Sequence, residues 1–440
     1  MKKILFGVLA LITLAWGWDL QTAALPQGGA MWWTLRQEAL YLSGVYAIAL
    51  MSLAMMLATR PAWLERPLGG MDRVYRLHKW TGILAVAFAA THWLVEMSDD
   101  ILKALVGRAG RVHGAEYTGL LETLRDAAKD MGEFAIYALL AMLVLTLWKR
   151  FPYQIWRHLH RVMPGLYLML AFHAALLAPT DYWTQPLGML LALLFCGGVI
   201  ASVLSLAGRI GRNRSVSGTV VAVKQSAADV TELTCRLGDA WKGHQPGQFA
   251  FVTFGRFEGA HPFTIASADR GDRTVTFQIK ALGDFTRQLS HSLWPGQPVR
   301  IEGPYGRFAL SRCDPRARQI WIAGGIGVTP FLAWLESLQA DPASAPAADL
   351  HYCTRDRESD PFVARLASLC ATLPGMRLHV HGQRQGEVLT AETLASRQDP
   401  KSRAEVWFCG PQGLADTLMS KLQRAWPGRL RLHQEAFEMR

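Results

Sequence analysis

Residues 78–92 read HKWTGILAVAFAATH, an apolar run with a histidine at each end. Ionisable side chains inside a membrane span are costly, so two histidines in one such run need a reason. His78 and His92 are fourteen residues apart, close to four helical turns, which places both imidazoles on nearly one helix face and roughly 20 Å apart along it. The run predicts a membrane helix that presents metal-binding side chains at two depths.

A second segment carries a matching pair, His160 and His173, thirteen residues apart. If both segments run in the same direction, His78 is level with His160. His92 is then level with His173. Two imidazoles that face each other at one depth can be the axial ligands of a haem iron, so these four residues predict two b-type haems. The alternative is four unrelated histidines that hydrogen-bond to backbone or to neighbouring helices.

The composition of the 440-residue chain indicates a membrane protein. Half of the residues are hydrophobic and only 18% are charged, against about 25% charged in an ordinary soluble domain. Six apolar runs approach the roughly 20 residues needed to cross a bilayer: 4–18, 39–58, 80–97, 134–148, 162–179 and 185–206. The simplest prediction is a six-helix membrane bundle. A cleaved signal peptide is the alternative for the first run.

The net charge of +11 fits the same topology. A basic balance by itself suggests nucleic acid, but here the basic residues collect in three short segments, 60–79, 149–161 and 209–214. With six spans all three lie on one side, which the positive-inside rule makes cytoplasmic. We therefore expect a multi-pass protein of a bacterial-type inner membrane, with a cytoplasmic N-terminus and C-terminal half and no nucleic-acid partner.

Residues 215–440 differ in composition from the first half. They show alternating strand patterns separated by glycine and proline turns, and no run that could span a bilayer. The six cysteines form no CxxC pair, which excludes a disulfide scaffold or a cysteine-rich zinc site. We expect a membrane domain over 1–208 and two soluble domains, 215–315 and 316–440.

Five short motifs of this half carry the chemistry of flavin and phosphate binding. They are HPFTIAS (261–267), GDFT (283–286), GPYG (303–306), GGIGVTP (324–330) and CGP (409–411). The GDFT motif precedes a helix-like stretch, so its amides could bind an anion. GGIGVTP stands between a predicted strand and a predicted helix, the context of a dinucleotide-binding loop. The five motifs in this order are specific.

With these motifs and the paired histidines, the chain resembles the ferric reductase and NADPH oxidase superfamily over nearly its whole length. The resemblance implies haem ligands on the third and fifth membrane spans. It also implies an antiparallel FAD-binding β-barrel followed by a parallel-sheet, Rossmann-like NAD(P)H-binding domain.

The resemblance further implies which residues hold the flavin. The residues expected to bind FAD are His261, Pro262, Phe263, Thr264, Ser267, Gly283 and Thr286. Thr264 would lie near the flavin N5, and Phe263 along the ribityl chain and ring. Gly283 and Thr286 would meet the FAD pyrophosphate.

A third set of residues is implied for the nicotinamide nucleotide. Its phosphates would contact Gly324, Gly325, Gly327 and Thr329, and the nicotinamide pocket would include Cys409 and Gly410. Phe437, four residues from the chain end, would stack on the isoalloxazine until the nicotinamide displaces it. Thr264, Cys409 and Phe437 are therefore the residues expected at the catalytic centre.

Arg355 bears on the choice between NADPH and NADH. It follows the predicted strand 349–353, where NADPH users of the family place an arginine for the 2′-phosphate. A guanidinium offers bidentate recognition of phosphate that a ribose hydroxyl does not need, so NADPH is preferred over NADH. The alternative is that Arg355 belongs to a solvated charge cluster with Asp356 and Arg357.

The expected function is transmembrane electron transfer. Electrons would pass from cytosolic NADPH to FAD, to the haem on His78 and His160, and on to the second haem. The final acceptor would be a small molecule outside the cytoplasm, either ferric iron or dioxygen, which gives superoxide. An acidic outer rim at Glu96 and Asp99 would favour cations. The alternatives are an electron-transfer subunit that serves a periplasmic partner protein, and a transporter that uses the histidines as a proton relay.

Overall fold

In the computed structural model the described residues are 2–22, 31–109, 111, 117–148, 150–227, 229–255, 259–396, 403–425 and 430–435. The chain divides into two compact units, Met1–Leu68 with Arg73–Ile210, and Gly69–Asp72 with Gly211–Arg440. The first unit is helical. The second contains two β-sheets.

The helical part contains eight α-helices among the described residues. They are α1 (Lys2–Thr22), α2 (Met31–Ala58), α3 (Ala62–Leu68), α4 (Met71–Val106), α5 (Leu120–Leu147), α6 (Tyr153–His160), α7 (Met163–Leu177) and α8 (Pro186–Leu206). Five of them, α1, α2, α4, α5 and α8, are long and apolar enough to cross a membrane. Helix α7 has 15 residues and is roughly 22 Å long, shorter than a hydrocarbon core. The count of six spans therefore stays a prediction.

Two sequence-based boundaries in this unit are corrected by the structure. The segment between the predicted spans 80–97 and 134–148 is largely helical where it is described, because α4 continues to Val106 and α5 begins at Leu120. His160 does not lie on the fifth span, since it ends the short helix α6 and the chain turns before α7 begins. Pro164 explains this break: its ring excludes it from a helix interior but suits the first turn of α7.

Large apolar side chains cover the outside of this unit. Phe6, Phe134 and Leu193 are 73%, 63% and 71% exposed. A surface of this kind would cause association in water and is typical of a membrane-facing surface. The interior is a separate cluster in which Val45 and Ile48 of α2 pack against Tyr167 of α7. These features describe a multi-pass membrane unit.

The second unit begins with a six-stranded antiparallel sheet. Its strands are β1 (Ser215–Ala227), β2 (Val230–Leu237), β3 (Phe249–Thr253), β4 (His261–Thr264), β5 (Thr274–Lys280) and β6 (Pro298–Tyr305), in the order β4-β3-β6-β1-β2-β5. Helix α9 (Asp284–Ser292) connects β5 to β6. One bridge between Ile265 and Phe277 joins the two edges of the sheet. Closure into the expected barrel stays a prediction that this bridge favours.

A parallel five-stranded sheet follows. Its elements are β7 (Arg318–Gly324), α10 (Thr329–Leu338), β8 (Ala348–Thr354), α11 (Pro361–Ala371), β9 (Met376–Gly382), α12 (Ala391–Ser396), β10 (Ala404–Cys409), α13 (Gln412–Ala425) and β11 (Leu430–Glu435). The strand order is β11-β10-β7-β8-β9 with every pairing parallel, which confirms the expected parallel sheet. The order reverses between β7 and β10, and in such sheets ligands bind outside the carboxyl ends of the strands at that point.

Candidate functional site

Four histidines of the helical unit face each other in two pairs. The rings of His78 and His160 have centroids 6.3 Å apart and planes at 90°. The rings of His92 and His173 show the same centroid separation and planes at 88°. Helix α4 supplies one ring of each pair, whereas α6 and α7 supply the other. The structure thus brings the four residues together two by two, with His160 contributed by a helix that the sequence did not predict as separate.

Backbone carbonyls hold three of these rings by their Nδ1 atoms. The three bonds join His78 to Ala54 (2.9 Å), His92 to Leu40 (2.9 Å) and His173 to Ala128 (2.7 Å). A carbonyl oxygen only accepts, so Nδ1 carries the proton and Nε2 keeps its lone pair for a metal ion. The ring of His160 stacks on Trp156 instead, with centroids 4.8 Å apart.

The donor set limits which metal group could sit between the rings. Among the described residues no cluster of three or more His, Cys, Asp or Glu side chains is arranged to hold a metal ion. Each imidazole pair supplies two nitrogen ligands. A metal ion bound there would have to bring its remaining ligands with it, as iron does within a porphyrin.

Charged groups near the His92–His173 pair are balanced. Arg36 on α2 lies 3.2 Å from Glu96 and 3.8 Å from Asp99 on α4. Lys103 and Arg111 also pair with Asp99. The rim expected to be acidic therefore alternates positive and negative groups, and its charge gives no preference between a cationic acceptor and dioxygen.

Two of the flavin motifs meet at the antiparallel sheet. His261, Pro262, Phe263 and Thr264 form β4, and the ring of His261 stacks on Phe285 of α9 with centroids 3.9 Å apart and planes at 7°. This contact joins HPFTIAS to GDFT. Thr264 is only 6% exposed.

Hydroxyl groups of these motifs have local hydrogen-bond partners. The backbone N–H of Thr276 donates to Oγ of Ser267 (3.1 Å). Oγ1 of Thr286 accepts from the N–H groups of Leu282 (2.9 Å) and Gly283 (3.0 Å), just before α9. These bonds stabilise the turn into α9, and contacts of Ser267, Gly283 and Thr286 with FAD stay predictions.

Two further motifs, GGIGVTP and CGP, meet at the switch point of the parallel sheet. Strand β7 ends at Gly324, and a 3-10 turn over Gly325–Val328 leads into α10 at Thr329. Gly325 has a φ of +54°, in the left-handed region. A Cβ at Gly327 would overlap the backbone carbonyl of Cys409, and a Cβ at Gly410 would come within 3.0 Å of Gly324. Glycine is what allows the loop after β7 to touch the turn after β10.

Cys409 is completely buried at this point. Burial raises the pKa of its thiol well above the usual value, and the Glu435 carboxylate adds to the shift. The thiol therefore keeps its proton at neutral pH and is not a thiolate nucleophile. Glu435 is paired in register with Cys409 on β11, and its carboxylate also lies close to the position a Cβ would take at Gly306.

Arg355 lies at the carboxyl end of β8 and is exposed. Both of its charged neighbours are engaged elsewhere: Asp356 pairs with Arg384 (2.9 Å) and Arg357 with Glu387 (3.1 Å). Hydrogen bonds from Gln385 and Arg384 lower the pKa of Asp356 to about 2. Among the described residues Arg355 has no ion-pair partner, so its guanidinium is available to a ligand.

Phe437, expected at the catalytic centre, lies outside the described residues. Two features of the sites were not predicted from the sequence. Glu435, buried beside Cys409, could have been noticed as the acidic residue that ends the last strand pattern. The carbonyl groups that hold the histidine rings leave no signal in the sequence, because every residue has one.

Two family models match the chain. One, described as a ferric reductase like transmembrane component, matches residues 43–171. The other, described as an FAD-binding domain, matches residues 215–309. The first match includes His78, His92 and His160 and ends two residues before His173. The second includes β1–β6 and both flavin motifs that meet at the antiparallel sheet.

Curated relatives match part of the chain. An NADPH oxidoreductase of Mycobacterium tuberculosis is 28% identical over 246 residues, 53% of this chain and 63% of the relative. A vanillate O-demethylase oxidoreductase of Pseudomonas putida is 32% identical over 155 residues, 34% of this chain and 45% of the relative. The chain thus spans less than two thirds of the length of either.

A solved flavohemoglobin from Malassezia yamatoensis is similar in fold. Its TM-score is 0.50 at 17% identity, and the match covers 93% of this chain and all of the flavohemoglobin. At this identity the likeness concerns the fold alone.

Proposed function

The chain belongs to the ferric reductase and NADPH oxidase superfamily, and we propose that it passes electrons from NADPH through FAD and two b-type haems to an acceptor across the membrane. Family membership supports a multi-pass membrane oxidoreductase that uses FAD and NAD(P)H. The proposal adds four points to this: the haems, the choice of NADPH, the direction of electron transfer and the acceptor.

The observation that carries it is the spacing of the two histidine pairs, 6.3 Å between ring centroids in both. This separation leaves room for one metal ion to be held by a nitrogen of each ring, so each pair could hold the iron of one haem. Two unrelated pairs of packed histidines have no reason to share this separation. The Nδ1–H bonds to carbonyls support the same assignment, because they leave Nε2 for the iron.

In this proposal the two sheets of the second unit bind different cofactors. The antiparallel sheet with α9 would hold FAD through β4 and the turn at Gly283. The switch point between β7 and β10 would hold the nicotinamide nucleotide, with Gly324, Gly325, Gly327 and Thr329 at its phosphates and with Cys409 and Gly410 beside the nicotinamide. Arg355, which has no ion-pair partner among the described residues, would bind the 2′-phosphate of NADPH.

When bound, flavin accepts a hydride and releases single electrons, whereas haem carries one electron at a time. The chain's own residues set positions. His78 and His92 on α4 are about 21 Å apart along the helix, so the two pairs divide the roughly 30 Å hydrocarbon layer into shorter steps. The division into domains at 1–208, 215–315 and 316–440, drawn from the change in composition after residue 214, belongs to the proposal. An inner membrane and a cytoplasmic dehydrogenase belong to it as well, and the positive-inside pattern supports them.

Absorption spectra and vesicle assays test this function. The purified chain should show reduced-minus-oxidised bands of b-type haem on adding NADPH. In proteoliposomes, external NADPH should drive reduction of an acceptor trapped inside, either a ferric chelate or dioxygen. If NADPH reduces the haems but neither acceptor is consumed, the acceptor is a partner protein. Absence of haem bands in the intact chain would refute the proposal.

A further inference from the structure

Two glycines of the helical unit lie against the rings of one histidine pair. A Cβ added to Gly44 on α2 would come within 3.0 Å of Nδ1 and 3.1 Å of Cε1 of His92. A Cβ added to Gly132 on α5 would overlap Nδ1 and Cε1 of His173. Each glycine therefore faces the nitrogen through which its histidine is hydrogen-bonded.

The same arrangement occurs on two different helices. His92 donates to the carbonyl of Leu40, four residues before Gly44. His173 donates to the carbonyl of Ala128, four residues before Gly132. In an α-helix the carbonyl of residue i points along the axis toward residue i+4. At Gly44 and Gly132 the ring that reaches this carbonyl lies against residue i+4, so an added Cβ would meet it. His78 reaches the carbonyl of Ala54 although Ala58 stands four residues on, so the requirement for glycine belongs to the His92–His173 pair.

We propose that Gly44 and Gly132 are positioning residues that let His92 and His173 lie flat on α2 and α5 and donate Nδ1–H to these carbonyls. This inference rests on the proposed function, since it assigns the glycines a role in orienting both ligands of one haem.

Other glycines of this unit do not share this feature. Among the described helices of this unit, an added Cβ would meet no protein atom within 4 Å at Gly7 or Gly17 of α1, Gly82 of α4 or Gly165 of α7. Gly197 and Gly198 of α8 allow approach of Met56 and Tyr167. Within these helices, contact with an imidazole is confined to Gly44 and Gly132, which occupy the same position relative to their carbonyls.

The bonds have an electronic consequence. A hydrogen bond from Nδ1–H makes an imidazole a stronger donor through Nε2 and fixes its tautomer. A stronger donor stabilises ferric over ferrous iron and so lowers the midpoint potential. A methyl group at either glycine would push the ring away and weaken the bond. The potential of this haem should then rise, with the larger change at Gly132, where the overlap is greater.

The test compares Gly132→Ala, Gly44→Ala and the matched control Gly7→Ala in the purified chain; Gly7 lies on α1, which carries no candidate ligand, and an added Cβ there meets nothing within 4 Å. Alanine favours helix more than glycine does, so none of the three should weaken its helix through propensity. Haem per chain is counted from absorbance, and each haem is titrated by potentiometry. We expect Gly132→Ala to lose one of two haems or to shift one midpoint potential upward. Gly44→Ala should keep both haems with a smaller upward shift, and Gly7→Ala should match the unmodified chain.

The outcomes separate the two proposals. If the unmodified chain holds two haems but Gly132→Ala and Gly44→Ala both match Gly7→Ala, the glycine inference is wrong and the proposed function stands. If the unmodified chain holds no haem, the proposed function fails and the glycine inference with it. If Gly132→Ala loses both haems, the helical unit has misfolded and Gly44→Ala decides: an upward shift supports the inference and an unchanged potential overturns it.

Discussion

The histidine pairs and the nucleotide site are built from different materials. In the helical unit the candidate ligands are side chains on α4, α6 and α7, three held by hydrogen bonds to carbonyls and the fourth stacked on a tryptophan. In the parallel sheet the candidate site is mostly backbone: glycines after β7 touch the turn after β10, and no side chain could fit between them. The first kind of site should fail when a side chain is removed, and the second when one is added.

This difference reflects the surroundings. A membrane interior offers no water to complete the ligand set of a metal ion, so the protein must supply those ligands as side chains. A nucleotide carries phosphates that backbone N–H groups can bind at the edge of a sheet, so the protein needs close approach more than it needs functional groups.

The largest expected effect comes from deleting one ligand. His92→Ala should remove one of two haems and reduce NADPH-driven transfer to an impermeant acceptor by about 10³-fold or more, because removal of one member of an essential set leaves little function. Flavin reduction by NADPH should be unchanged, as measured by stopped-flow absorbance. His158→Ala is the matched control, since His158 is an exposed histidine close to a candidate ligand and should leave both haems in place. Unimpaired acceptor reduction in His92→Ala would contradict the assignment of His92 as a required ligand of the helical unit.

The converse test adds a side chain to the nucleotide site. Gly327→Ala should weaken NADPH binding by roughly 10–100-fold, because an overlap of this kind typically costs about 1–3 kcal/mol. The measurement is the Kd of NADPH by flavin fluorescence. Gly413→Ala on α13 is the control, since a Cβ there meets nothing within 4 Å. Equal affinities in the two variants would mean that the glycine contact does not shape the site.

A smaller effect is expected at Arg355, a charged side chain of the proposed nucleotide site. Arg355→Gln should lower the preference for NADPH over NADH, as a ratio of kcat/KM values, by about ten-fold, the value of one charge-assisted hydrogen bond. Arg357→Gln removes an arginine already paired with Glu387 and should leave the ratio nearly unchanged. Equal losses in both variants would indicate a diffuse charge effect and not a specific phosphate contact.

The smallest effect concerns pH and the parallel sheet. Burial lowers the pKa of His433, and the nearby Glu405 carboxylate offsets this only in part. The folded chain therefore resists protonation that the unfolded chain accepts below about pH 6.5, and stability should fall as pH drops through that range. Between pH 7.5 and 5.5 the loss from this group should be at most about 1.4 kcal/mol. Thermal unfolding followed by flavin release should show a smaller pH dependence in His433→Gln, and an identical dependence would exclude His433 as its source.

The sequence predicted a site or a helix boundary best where a residue type is rare in its surroundings. Histidine is rare in apolar runs, so the four candidate ligands could be identified and paired before their contacts were known. The break before α7 was missed, because Pro164 stands inside an apolar run that reads as continuous. The end of α4 was also missed, since Asp99 and Lys103 read as a polar loop although their spacing of four suits a salt bridge on a helix.

In the soluble unit, turn motifs predicted where strands end but not which of them meet. The contact of Gly327 with Cys409 depends on the order of strands in the sheet, which no local pattern gives. Glu435 stands beside Cys409 for the same reason. Arg355 could be proposed from its place after a strand, but its availability was evident only once Asp356 and Arg357 were seen to be paired with Arg384 and Glu387.

The most direct measurement counts haem in the intact, purified chain by its absorption in the oxidised and dithionite-reduced states. Two b-type haems per polypeptide, each lost singly when a histidine of its own pair is replaced, is the result this account predicts. A chain that binds FAD but shows no Soret absorption, or that holds one haem unaffected by replacing His92, would contradict it.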